Sequence, residues 1–209
     1  MLRVTTFTVG QMATNCYLLI DPEIRECVIV DPGDDAEYIS DKIVSLGLTP
    51  THIVATHGHF DHIMAAFVLK INFGIPFLMN GLDRFLVDRM QSTAKHFLDI
   101  VVVDPPPGID MSIGQGDILD VGHIGVSILS LPGHTPGSIG LYEKKSGILL
   151  TGDTLFADGA VGRTDHEYAD RGVLKTSVSK ILRLPASTRL LPGHGEETSI
   201  GAEVMFHVQ

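Results

Sequence analysis

Four times along this chain, a run of apolar or small residues breaks off at a polar turn that carries a histidine or an aspartate: IVATHGH, ILSLPGH, ILLTGD and RLLPGH. A short apolar run stopped by glycine or proline is the signature of a buried strand. Strands that all end this way constrain the fold strongly, because loops outside the ends of a sheet are held rigidly yet stay open to solvent. The expectation is a single rim on which His57, His59, His134, Asp153 and His194 meet.

Other segments fit around these strands. RVTTFTV, NCYLLI and ECVIVD read as short strands on close connections, which suits antiparallel pairing. DAEYISDKIVSL places Ile39, Ile43 and Leu46 at helical spacing, with Gly47 as the cap. After the strand HIVAT come a helix over DHIMAAFVLKINFG, a strand IPFLM and a helix over NGLDRFLVDRMQSTAKHF. DPPPG forbids regular structure and reads as a surface loop. Beyond it lie the strands GDILDV, VSILSL, IGLYE and GILLTGD, a helix from about Arg171 to Leu184, and a last strand RLLPG. Alternation of this kind indicates α/β architecture. The length suits one compact domain over residues 1–209.

The richest stretch is HGHFDH at 57–62. Gly58 lets the chain bend so that His57 and His59 turn onto one cation, while Asp61 and His62, at the start of the following helix, are free for a second. Asp153 would bridge the two ions, and His134 and His194 would complete one each. Neutral imidazole with carboxylate suits zinc first, and also iron or manganese, with no thiolate needed. Two divalent ions together hold a hydroxide at neutral pH and polarise a carbonyl, which is hydrolytic machinery. His52, His96, His123, His166 and His207 lack such a context, although His166 lies near the expected substrate loop.

Composition narrows the partners. A formal charge of -10 opposes a phosphate backbone as the main partner, so no nucleic acid is expected. Cys16 and Cys27 are too few for a disulfide framework and sit in apolar runs, where a buried thiol is expected. There is no basic start leading into an apolar block, and no apolar stretch approaches the roughly 20 residues that span a bilayer. A cytoplasmic enzyme acting on a small molecule, without a membrane partner, is the expectation; the oligomeric state is open.

THGHFDH, PGHTPGS, LLTGDTLF, GRTD and LPGHGEETSIGAE together resemble the metallo-β-lactamase superfamily, and within it the glyoxalase II-like (hydroxyacylglutathione hydrolase) branch in its short, single-domain form. The resemblance runs from the first strands to the C-terminus. It implies a four-layer αββα sandwich with mixed sheets. It also implies a first metal site of His57, His59 and His134, a second of Asp61, His62 and His194, and Asp153 bridging. The implied activity is hydrolysis of a thioester such as S-lactoylglutathione, with Asp61 orienting the attacking hydroxide as well as ligating. Arg163 in GRTD is the candidate anchor for a substrate carboxylate, with an ion pair to a neighbouring acid as the competing role. The similar persulfide dioxygenases, with one iron, are the alternative activity, and lactone or β-lactam hydrolysis is a further one.

Overall fold

The computed structural model of the protein describes residues 1–100 and 103–207. β1 (Arg3–Val9), β2 (Thr14–Asp21) and β3 (Glu26–Val30) form an antiparallel meander, as the short connections suggest. β4 (Thr49–Val54), β5 (Phe77–Met79) and β6 (Met111–Ser112) then add in parallel, giving a mixed six-stranded sheet in chain order. A second mixed sheet of six holds β7 (Ile118–Val121), β8 (Ile124–Ser130), β9 (Ile139–Glu143), β10 (Ile148–Gly152), β11 (Arg189–Pro192) and β12 (Thr198–Ser199). In this sheet only β10 and β11 run parallel.

Side chains alternate across each strand, so a central strand covered on both faces must be apolar at every position. β2 meets that demand from Cys16 to Ile20, and its polar residues Thr14, Asn15 and Asp21, at the two ends, are buried as well. Cys16, Leu18 and Ile20 join the outer core, against Ile39 and Ile43 of α1 (Ala36–Ser45), Leu69 of α2 (Ala66–Phe73), Val87 of α3 (Arg84–Asp88) and Met90 of α4 (Met90–Leu98). Tyr17 and Leu19 point the other way. There they pack with Val28, Val54 and Leu78 on Val126, Ile128, Leu141 and Leu150 of the second sheet. On that sheet's far face, Leu149 and Leu190 pack against Val178 and Ile181 of α5 (Arg171–Ile181) and Ile200 of α6 (Ile200–His207). The layers are therefore helix, sheet, sheet, helix, the αββα sandwich. Each fully buried leucine or isoleucine stabilises it by about 1.5–3 kcal/mol.

Several elements depart from the periodicity. The helix expected from Asp61 onward begins only at Ala66; Phe60–His62 form a separate 3-10 turn. The helix expected over 80–97 is a 3-10 turn at Gly81–Asp83 followed by α3 and α4, broken at Arg89. β12 and α6 come after the last expected strand, where the sequence offers no periodic signal. Gly47, with φ 58, sits just past the end of α1, as its capping role requires. Residues 104–108 have no regular structure, and Cys16 and Cys27 are buried free thiols.

Candidate metal centre

The sheets are stitched together where these strand ends meet. The Asn15 backbone N–H donates to the Gly193 carbonyl at 2.8 Å, and the Tyr17 hydroxyl donates to the Pro192 carbonyl at 2.6 Å. Nearby, the Ile139 N–H donates to the Thr56 carbonyl at 2.9 Å. His57, His59, Asp61 and His62 follow β4 in the first sheet, whereas His134, Asp153 and His194 follow β8, β10 and β11 in the second. The seam thus brings all seven predicted ligands to one rim.

They fall into overlapping groups: His57, His59 and His134; His57, His62 and Asp153; and Asp61, His62 and His194, with ligating atoms in each group within 4.8 Å of one another. In the first, His57 Nε2 and His134 Nε2 each lie 3.0 Å from His59 Nδ1. In the last, His194 Nε2 is 3.3 Å from His62 Nε2 and 3.3 Å from Asp61 Oδ2. Asp153 stands between, its Oδ2 3.7 Å from both His134 Nε2 and His194 Nε2, and its Oδ1 3.5 Å from His62 Nε2. Nitrogen ligands at 2.0–2.1 Å from a tetrahedral ion lie roughly 3.3 Å apart, so the first group has the spacing of a ligand set.

Carboxylates outside this cluster hold it in place. Asp31, at the end of β3, accepts from His62 Nδ1 at 3.0 Å and from the Thr56 N–H and hydroxyl at 2.6 and 2.7 Å. Fixing Nδ1 in this way aims Nε2 of His62 into the cluster. Buried Asp83 accepts from the Gly58 N–H at 3.0 Å, the Gly137 N–H at 2.6 Å and the Thr135 hydroxyl at 2.6 Å, which joins the HGH loop to the PGHTPGS loop. A Cβ on Gly58 would come within 2.9 Å of the Asp83 carbonyl, so this glycine permits close packing as well as a bend. Neither aspartate stands out in the sequence reading. Asp31 closes an apolar run at a polar turn, VIVDPG, which is the signal that could have found it.

The electrostatics favour a cation at the centre. Burial opposes charge on His62, but Asp153, Asp31 and Asp61 outweigh it and push its pKa up to about 10. Burial also works against ionised Asp61, yet His62 and His194 hold its carboxyl below the usual range. Burial and then His134 drive His59 down to about 2, and burial with neighbouring imidazoles keeps His57 neutral. Asp153 Oδ1 is buried without a hydrogen-bond partner, which is costly unless something positive meets it. In the first group neutral imidazoles face one another, and in the second an ionised carboxylate faces two imidazoles; with the orphaned Asp153 oxygen beside them, both donor sets fit a divalent metal ion.

The sequence profile of the Metallo-beta-lactamase superfamily matches residues 9–194, nearly the whole span that builds the two sheets and all seven cluster residues. The chain belongs to that superfamily. It is 35% identical over 210 residues to the hydroxyacylglutathione hydrolase GloC of Haemophilus influenzae, covering 97% of this chain and 95% of that protein. Among solved structures, the BLEG-1 B3 metallo-beta-lactamase superposes with a TM-score of 0.90 at 32% identity, covering 99% of this chain and 100% of the other. TTHA1623 in a di-iron-bound form gives 0.86 at 32%, with 96% of each chain covered. The ETHE1 protein of Myxococcus xanthus gives 0.77 at 25%, covering 99% of this chain and 83% of that one.

In this member of the superfamily, the cluster opens into a cleft of about 320 Å³. Met12, Phe60, Phe97 and Phe156 supply apolar lining, while Arg89, Arg163, His166 and Tyr168 add polar groups. Tyr168 meets His59 Nε2 through its hydroxyl at 2.8 Å, and the His166 ring stacks on the Tyr168 ring at 5.0 Å. Arg163 lies on the lining, but its guanidinium is bound to Asp165 by both Nε and Nη2, at 2.7 and 2.6 Å. Its carbonyl is the part that reaches the cluster, accepting from His134 Nδ1 at 2.9 Å. Among the described residues, no helix is long and apolar enough to cross a membrane.

Proposed function

We propose that this protein is a metal-dependent hydrolase that opens a thioester, with S-lactoylglutathione or a related acyl thiol as substrate. The observation that carries the reading is the second donor group: Asp61, His62 and His194, like the first group, bring their ligating atoms within 4.8 Å of one another, which gives a second ion its own set of donors. His57, His59 and His134 would hold one ion, Asp61, His62 and His194 the other, and Asp153 would bridge them. Two such ions supply a hydroxide at neutral pH and a Lewis acid for the carbonyl oxygen; zinc, iron and manganese all suit these donors.

This chain's own residues contribute the remainder. Asp61, buried and kept ionised by His62 and His194, offers a carboxylate oxygen that would accept a hydrogen bond from the attacking hydroxide and orient it toward the acyl carbon. Asp31 and Tyr168 fix the tautomers of His62 and His59 by occupying the ring nitrogens that face away from the cluster. The apolar wall of the cleft excludes water from the acyl chain. A thiol leaves readily, because its pKa near 8.5 removes the need for a strong general acid. The relationship to GloC supports this substrate class.

The competing reading is a mononuclear-iron persulfide dioxygenase, which has no use for a second ion. Metal stoichiometry measured alongside turnover decides between them. Two metals per chain and thioester hydrolysis with zinc alone are expected; a single iron, inactivity with zinc and oxygen uptake with glutathione persulfide would overturn the reading. Hydrolysis of lactones or β-lactams in preference to every thioester would keep the hydrolase and replace the substrate.

A further inference from the structure

From the cleft's geometry we infer that Arg89 is the residue that selects the substrate, by binding a carboxylate at the end remote from the scissile carbonyl. This rests on the thioester reading above and assigns the anion contact that GRTD alone would give to Arg163. Arg89 occupies the break between α3 and α4, with φ -104 and ψ 8, and lines the same cleft as the cluster. Its guanidinium carbon lies 4.9 Å from the centre of the Phe85 ring and 5.3 Å from that of Tyr168, and these two rings meet edge to face at 5.3 Å. Aromatic faces hold a guanidinium by cation–π attraction while leaving its N–H edge free to donate.

The free edge is what separates Arg89 from Arg163. Arg163 has spent its planar fork on Asp165, whereas Arg89 forms no ion pair among the described residues. Among the described residues that line the cleft, the only carboxylates are Asp61 and Asp153, and both belong to the ligand cluster. An anion entering the outer cleft therefore meets one uncommitted guanidinium and no competing acid. A carboxylate takes that fork with two parallel hydrogen bonds.

Position then sets the substrate's shape. One tyrosine side chain spans the gap between the two ends: its ring meets Arg89 and its hydroxyl meets the metal-facing histidine, His59. A substrate lying along Tyr168 with its carbonyl at the cluster would place a carboxylate several bonds away on Arg89. Its intervening methylenes would pass Phe60 and Phe97, whose rings stack at 5.8 Å. The structure therefore favours thioesters with a distant carboxylate over neutral ones of the same length.

The test uses metal-loaded protein and a matched pair of thioesters that differ only in a terminal carboxylate or its primary amide. The wild type should prefer the carboxylate in kcat/KM, and Arg89→Gln should reduce that preference at least tenfold, mainly through KM. Arg89→Lys should restore part of it, since charge remains while the fork is lost, and Arg163→Gln should change it less than Arg89→Gln does. In parallel, calorimetry with the carboxylate-bearing thiol alone should show binding that weakens by a similar factor in Arg89→Gln, with metal content and Tm held as controls. An equal loss on both substrates, or an unchanged preference in Arg89→Gln, overturns the assignment. If the wild type cleaves no thioester, the proposed function falls, and the calorimetric arm still decides the role of Arg89.

Discussion

Asp31 accepts a hydrogen bond from Nδ1 of His62 at 3.0 Å, and both residues are almost wholly buried. Once the ring gives up its second proton to ligate, this contact selects the tautomer of His62 in which Nε2 carries the lone pair that faces the cluster. Asp31→Asn tests this directly. An amide nitrogen turned toward His62 would donate to Nδ1 and shift the ring proton to Nε2, where it blocks ligation. Metal affinity should fall by about 10- to 100-fold, the usual cost of losing such an outer partner, as measured by competition with a chelator.

Asp153 approaches both metal groups, with His134 of the first and His62 and His194 of the second near its carboxylate. Its removal in Asp153→Ala should cost most of the bound metal, read by elemental analysis of the purified protein. Retention of two metals per chain in this variant would remove the bridging role.

Gly193 backs that same carboxylate. A Cβ there would lie 2.2 Å from Asp153 Oδ1 and 2.7 Å from His62 Cε1, and the backbone has no slack, since the Gly193 N–H donates to the Gly152 carbonyl at 2.9 Å. Gly193→Ala should therefore displace Asp153, destabilise the fold by about 1–3 kcal/mol in denaturant titrations, and lower metal content.

Much of this centre is legible from the chain alone, for a physical reason. Each of His57, His134, Asp153 and His194 comes within three residues of the end of an apolar run, and a strand end fixes where the next few residues must go. Residues farther from a strand end are less legible. Asp61 and His62 lie ahead of helical spacing, yet their side chains must turn into the cluster, and a 3-10 turn at Phe60–His62 does this while the regular helix waits until Ala66. Asp31 and Asp83 act through hydrogen bonds to partners 25 or more residues away, which local pattern cannot reveal. α6 escapes the periodic pattern because tertiary contacts fix it: buried Glu203 accepts from the Thr198 hydroxyl at 2.6 Å and the Gly159 N–H at 2.7 Å.

His62 contributes to the pH dependence of metal uptake, as does His194, where burial opposes charge but Asp61 and Asp153 raise the pKa. In the metal-free protein the pKa of His62 is raised from 6.5 to about 10, so at pH 7 its ring carries a proton that ligation must displace. The stabilisation from this charged ring is complete below pH 6.5 and fades as pH rises toward 10. Metal loading at pH 7 should thus release protons, visible as a dependence of the calorimetric heat on the buffer's ionisation enthalpy. That release should shrink near pH 10. Identical heats in phosphate and Tris would count against the protonated ring.

Each sheet is built from its own contiguous half of the chain, β1 to β6 before residue 113 and β7 to β12 after residue 117. Strand pairing inside either half closes only short or moderate loops, whereas the seam between the halves joins Asn15 to Gly193. During synthesis, the amino-terminal half can pair its strands while the rest is still being made. His194 is the last of the predicted ligands to be synthesised, so the donor group of Asp61, His62 and His194 is completed only after β11 has been made, about sixty residues later than the group of His57, His59 and His134.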